Sequence, residues 1–120
     1  MNKSEEQILT DARAIVADRD SWGSGVLLDW DGCYCLLGAI AKASGIPDDS
    51  LQGDAADATY AFLLNSPAVE VMAKVLDPKG EDFAITGTVF RFNDRAHRRG
   101  EHEKVLNALD EAITLAKETA

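Results

Sequence analysis

The feature that most constrains this fold is an apolar run at residues 35–43, CLLGAIAKA, which carries a single charged residue. The run stops at Ser44-Gly45, and Pro47 follows, which is typical of a helix ending. It therefore predicts a mostly buried helix. Gly38 lies inside that helix at a cost of about 1 kcal/mol relative to alanine. We therefore expect another element to pack closely against the Gly38 face.

The length of the chain is sufficient for one domain with its own core. A chain of 120 residues buries about two thirds of the surface that it exposes when unfolded. Hydrophobic residues make up 46% and charged residues 28% of the chain, which is far from the composition of a disordered protein. We predict a single globular domain over residues 1–120 that needs no disulfide or metal.

The acidic balance of the chain excludes some classes of partner. A net charge of −9 disfavours general nucleic-acid binding, which depends on clustered Lys and Arg, and binding to an anionic membrane surface. No apolar run approaches the length of a bilayer span, and the N-terminus lacks the layout of a signal peptide. We expect a cytoplasmic protein. Cys33 and Cys35 are too close in sequence for an unstrained bridge, which predicts reduced thiols.

Four further segments have helical patterns. They are residues 4–18 with Ser4 as a cap, residues 55–64, residues 67–76 starting at Pro67, and residues 101–118. The last of these has the clearest amphipathic stripe. We expect the N-terminal and C-terminal helices to pack in one core.

Two segments favour extended structure. Val26–Trp30 and Cys33–Cys35 flank Asp31-Gly32, and an Asp-Gly pair between such runs is a strong hairpin signal. Residues 83–92 are rich in β-branched and aromatic residues and lead into a predicted turn at Asn93-Asp94. The predicted fold class is therefore α+β, mostly α, with four or five helices packed around a small β-hairpin.

Cys35 is a candidate nucleophile. It precedes the predicted buried helix, where backbone N–H groups and the helix dipole favour a thiolate. His97 or His102 would then act as the base, oriented by Asn93 or Asp94. The simpler interpretation is that Cys35 is a small buried hydrophobic residue and that both histidines are exposed.

A zinc site is a weaker hypothesis. Cys33, Cys35, His97 and His102 are ligand types that suit zinc. Structural zinc sites, however, space their cysteines by about two to four residues, and these pairs lie far apart in the sequence. We predict no metal and no cofactor.

A group of basic residues stands out in this acidic chain. Arg91, Arg95, Arg98 and Arg99 follow each other closely beside His97. Such a patch suits a phosphate, a carboxylate or an acidic partner surface. The alternative is that these arginines pair with the protein's own acids or are solvated.

The two tryptophans flank the predicted hairpin. We expect Trp22 or Trp30 to anchor the core, with its indole N–H bonded to a backbone carbonyl. An exposed tryptophan would instead mark a binding surface. Both residues are therefore binding candidates.

Four short motifs carry a family resemblance. They are Trp22-Gly23-Ser24-Gly25, Cys35-Leu36-Leu37-Gly38-Ala39, Phe92-Asn93-Asp94 and the helical residues 105–109. In this order they resemble a small family of actinobacteria and their phages with W-x-x-G, C-L-L-G-A and W-N-D motifs. That family has no assigned activity, so the resemblance implies a fold and a source but no reaction. Phe92 replaces the tryptophan of the family pattern, and Cys33, His97 and His102 are not part of it.

These observations favour a non-catalytic interaction or regulatory protein. Its partner would be an unidentified protein, a host protein if the chain is phage-encoded, contacted through the acidic surface or the arginines. A homodimer through an exposed helix face is compatible with this interpretation. The alternative is the thiol-dependent enzyme with Cys35 as nucleophile. Mimicry of DNA is a third hypothesis, which needs carboxylates at the spacing of phosphates.

Overall fold

Helices are the regular elements of the described part of the chain, residues 3–82 and 84–119 of a computed structural model. The α-helices are α1 (Glu5–Val16), α2 (Leu36–Ala43), α3 (Ala56–Leu63), α4 (Pro67–Leu76), α5 (Ile85–Arg98) and α6 (His102–Glu118). Short 3-10 helices form at Arg19–Ser21, Asp48–Ser50 and Gly53–Ala55. All the helices predicted from the sequence are present, and α5 is an additional one.

Side-chain caps begin three of the described α-helices. The hydroxyls of Ser4 and Ser66 accept backbone N–H groups at the starts of α1 and α4. Pro67 follows at the first position of α4, as predicted. At α2 the cap is a thiol, because Cys35 Sγ accepts from the N–H of Gly38 at 3.3 Å. Each cap satisfies a backbone donor that has no partner within its helix.

The core forms where α1 packs between α2 and α6, while α4 contacts both α5 and α6. Leu9 and Val16 of α1 and Leu109 of α6 are fully buried. The predicted shared core of the N-terminal and C-terminal helices is thus confirmed. Within α2 every residue except Lys42 is buried, which confirms the prediction of a mostly buried helix.

Gly38 is the point of closest approach to α2. A Cβ atom at this position would overlap the carbonyl oxygen of Leu27 and lie 2.7 Å from its carbonyl carbon. The same Leu27 oxygen accepts the N–H of Cys35 at 3.2 Å. The predicted close packing is confirmed, and the packed element is the backbone of the loop that precedes α2.

The predicted fold class and its hairpin are wrong, because the described residues contain no β-strand. Residues 22–35 form an irregular loop with two isolated bridges, in which Tyr34 pairs with both Trp22 and Leu28. A turn does form at Asp31-Gly32. The Asp29 carboxylate, however, accepts the N–H groups of Asp31 and Cys33, each at 2.9 Å. These side-chain bonds compete with a strand ladder.

The predicted extended segment at 83–92 and the turn at Asn93-Asp94 are also wrong. Phe83 lies outside the described residues, and from residue 85 onwards this stretch belongs to α5. Val89, Asn93 and Ala96 are buried at helical spacing on one face of α5. Because the central member of this stripe is polar, the apolar period was not visible in the sequence.

Candidate functional site

Asn93 is a buried residue of α5 whose side chain hydrogen-bonds to the loop before α2 and to the first residue of α2. Its Oδ1 accepts the indole N–H of Trp22 at 2.7 Å and the backbone N–H of Leu36 at 3.1 Å. Its Nδ2 donates to the carbonyl of Gly23 at 3.0 Å. Asn93 is 1% exposed. We call these four residues the Asn93 junction, since they join α5 to the loop and to the start of α2.

Asp94 extends the same connection to the protein surface. Its Oδ1 accepts from the N–H of Gly25 at 3.1 Å and from Asn93 Nδ2 at 3.3 Å. No buried side-chain N or O atom in the described residues lacks a hydrogen-bond partner. The junction is therefore a satisfied polar network, which rigidifies a core rather than leaving reactive groups free.

Trp22 is the core anchor of the two tryptophans. It is 4% exposed, and its N–H bonds to the side-chain amide of Asn93 rather than to the backbone carbonyl that was expected. The ring of His97 meets Trp22 edge-on at 4.7 Å between centroids, and that of His102 lies at 5.1 Å. Both histidines thus cover the buried indole.

Cys35 lies in the core, and the two histidines have other partners. The thiol is 1% exposed, and its burial raises its pKa to about 12. His97 Nδ1 shares a hydrogen bond with Ser24 Oγ at 3.2 Å, and His102 Nε2–H donates to the Val16 carbonyl at 2.6 Å. In residues 3–82 and 84–119 no hydrogen bond joins Cys35 to either histidine. This arrangement suits a structural cap better than a nucleophile.

The thiols should therefore be unreactive in the folded protein. Burial, followed by the charge of Asp29, raises the pKa of the half-buried Cys33 thiol as well. Since only the thiolate reacts, we expect iodoacetamide to label Cys33 slowly near neutral pH and Cys35 only after denaturant is added. Peptide mass spectrometry across a pH series checks this. Fast labelling of Cys35 in the native protein below about pH 8.5 would support the thiol enzyme instead.

The zinc hypothesis has no geometric counterpart in the described part of the chain. No group of three or more His, Cys, Asp or Glu side chains there is placed to hold a metal ion. Cys35 caps α2, and Cys33 Sγ donates to the carbonyl of Asp20 at 3.2 Å. The residue types that suggested zinc thus serve local packing and hydrogen bonding.

The arginines form a ridge on the outside of α5. Arg91, Arg95 and Arg98 follow each other at helical spacing and are exposed, and Arg99 ends the helix. Arg91 pairs with Asp82 at 2.8 Å. For the other three arginines no ion pair forms within the described residues. Arg91 thus pairs with one of the protein's own acids, while Arg95, Arg98 and Arg99 are exposed. We call these four residues the arginine ridge, and its role in binding stays a prediction.

Trp30 is the most exposed large hydrophobic side chain of the described residues, at 84%. It lies at the tip of the loop beside a groove of about 350 Å³. The floor and walls of this groove, here called the Trp30 groove, come from the loop and from residues 51–60: Val26, Leu27, Leu28, Asp29, Trp30, Leu51, Gln52, Gly53, Ala56, Asp57 and Tyr60. Val26 is also 48% exposed. The sequence did not single out residues 51–60 for this site.

Two features give the Trp30 groove its shape and charge. The side-chain amide of Gln52 donates to the Asp29 carbonyl at 3.0 Å, which ties the loop to the segment before α3. The lining includes Asp29 and Asp57 and no Lys or Arg. Asp31, next to Trp30, and Asp54, next to Gly53, are exposed as well. The groove is therefore apolar inside and acidic at its rim.

The fold and these surfaces define a class of protein. It is a small, acidic, helical domain that buries its polar network and displays an apolar groove beside an exposed tryptophan. The chain belongs to DUF6197, a family of unknown function, whose profile matches residues 1–115. No curated protein and no solved structure matches the chain. Among the described helices, none combines the length and the apolar character that a bilayer crossing requires.

Proposed function

We propose that this protein is a non-catalytic interaction protein that binds a segment of a partner protein in the Trp30 groove. The observation that carries the proposal is the exposure of Trp30, at 84%, beside an apolar groove. Tryptophan is among the residues that contribute most to binding energy at protein interfaces. A groove of about 350 Å³ fits a few side chains of a peptide segment rather than a flat globular surface.

The interior of the protein supports binding over catalysis. The thiol of Cys35 is buried. The side chains of Asn93 and Asp94 are engaged in hydrogen bonds to backbone groups of the same chain. A nucleophile needs an accessible thiolate and a base within hydrogen-bond reach. The interaction protein is for this reason the better-supported of the two hypotheses.

The arginine ridge is a second contact surface in this proposal. Arg95, Arg98 and Arg99 are exposed, and a cationic ridge in a chain of net charge −9 suits an acidic patch of the partner or of a second copy. A phage or actinobacterial source, with a host protein as target, rests on the motif resemblance alone. A homodimer stays a prediction as well.

The proposal is tested with a library of short random peptides displayed on phage and selected on the immobilised full-length protein. The selected peptides are then synthesised, and their affinities for the wild type and for Trp30→Ala are measured by calorimetry. We expect Trp30→Ala to weaken binding by about thirtyfold, the size of an interface hot spot. The thermal stability of the Trp30→Ala variant should equal that of the wild type, because the Trp30 side chain is mostly exposed.

Phe62→Ala is the matched control for this experiment. Phe62 is an exposed aromatic residue, at 48%, and does not line the Trp30 groove. The Phe62→Ala variant should bind the peptides with the same affinity as the wild type. A selection that yields no peptide, or peptides that bind Trp30→Ala as tightly as the wild type, would show the proposed function to be wrong.

A further inference from the structure

We infer that the segment bound in the Trp30 groove carries a lysine or arginine directly beside an apolar anchor residue. The inference rests on the proposed function, since it specifies the partner of the same groove. Its basis is the combination of an apolar floor and a lining whose charged residues, Asp29 and Asp57, are both acidic.

Asp57 provides the most available carboxylate of the groove. It lies in the first turn of α3, lines the groove and is exposed. No hydrogen bond or ion pair engages its side chain in the described part of the protein. Its oxygens are thus available to accept from an ammonium or guanidinium group.

Asp29 and Asp31 supply further negative charge on the loop side. The Asp29 Oδ1 is already occupied by two backbone N–H groups of its own loop. Asp29 therefore acts on a ligand mainly through its charge, while the exposed Asp31 stands next to Trp30. Asp57 and Trp30 line the same groove, and aromatic faces attract Lys and Arg side chains.

The same charges disfavour the opposite type of ligand. An anionic segment would meet only like charges at the rim, and the apolar floor weakens the screening of that repulsion by water. The aliphatic stem of a lysine or arginine can lie along the apolar wall while its charged end stays at the rim. A cationic and apolar segment therefore satisfies both the floor and the rim.

The test extends the peptide selection with charge variants of the full-length protein. Peptides that lose binding to Trp30→Ala are expected to be enriched in Lys or Arg next to an apolar residue. The double variant Asp31→Asn, Asp57→Asn should weaken their binding by about fivefold at low salt. High salt should reduce this difference because the rim is exposed.

The double variant Glu103→Gln, Glu111→Gln is the matched control. It makes the same change in net charge on the exposed surface of α6, outside the groove, and should leave affinity unchanged. Trp30-dependent peptides without cationic residues, or with equal affinity for both double variants, would overturn this inference and leave the proposed function standing. Absence of any Trp30-dependent peptide would overturn both.

Discussion

Gly38→Ala is expected to lower the free energy of unfolding by about 3 kcal/mol, the upper range for overpacking a core. The added methyl would overlap the carbonyl oxygen of Leu27, which is a backbone atom that cannot rotate away. Displacing Leu27 would also weaken the bond that its carbonyl accepts from the N–H of Cys35. Helix propensity alone predicts the opposite sign, a gain of about 1 kcal/mol, so the experiment separates the two effects.

Gly87→Ala is the matched control, because it is the same substitution inside another helix. The nearest atom to a Cβ at Gly87 is the Nη1 of Arg91, at 3.2 Å, at the end of a flexible side chain. This variant should be neutral or more stable by up to about 1 kcal/mol. Urea unfolding followed by circular dichroism measures both variants. A Gly38→Ala protein as stable as the wild type would contradict the packing of Leu27 against α2.

Asn93→Ala is expected to be the second strongly destabilising substitution, at about 4 kcal/mol. It removes the partners of three buried or half-buried groups, namely the N–H of Trp22, the N–H of Leu36 and the carbonyl of Gly23. Each buried polar group left without a partner costs about 1–3 kcal/mol. Entry of water into the vacated space would keep the total below the sum of these costs.

The control for this substitution is Asn107→Ala. Asn107 is exposed on α6, so its replacement should change stability by less than about 0.5 kcal/mol. Chemical unfolding measures both variants, and proton NMR of the Trp22 indole N–H reports on the junction itself. That signal should exchange slowly with solvent in the wild type and quickly in Asn93→Ala. A wild-type exchange rate in the variant would show that the hydrogen bond to Asn93 is not what protects the indole.

Local patterns predicted much of this fold. Four of the helices follow directly from apolar spacing, from the cap Ser4 and from Pro67 at a first helical position, and the buried α2 follows from its composition. Gly38 even indicated where another element approaches. These features are determined by residues close in the sequence, and periodicity is informative for such features.

The loop and α5 were not predictable in the same way. Asp31-Gly32 does form a turn, but the backbone of Tyr34 bonds to Ser21 and Gly23 rather than to a partner strand. The polar Asn93 interrupts the buried face of α5, and its presence there is explained by its bonds to Trp22 and Leu36. Such tertiary bonds outweigh local β propensity and are not visible in a local pattern.

The candidate site was likewise predictable from the sequence only in part. From the sequence, Trp22 and Trp30 were both binding candidates, and only the fold separates the buried Trp22 from the exposed Trp30. The groove beside it combines residues 26–30 with residues 51–60, and only the folded chain brings these segments together. Cys35 and the histidines carried the more conspicuous chemistry in the sequence, yet the fold uses them for capping and packing.

The Trp30 groove is the proposed binding site for the partner of this protein. The most direct measurement is an amide NMR titration of the wild-type protein with a peptide selected on it. We predict shift changes confined to residues 26–31 and 51–60 and to the Trp30 indole, with little change along α6. Changes centred on the arginine ridge or around Cys35, with the groove unaffected, would contradict the claim.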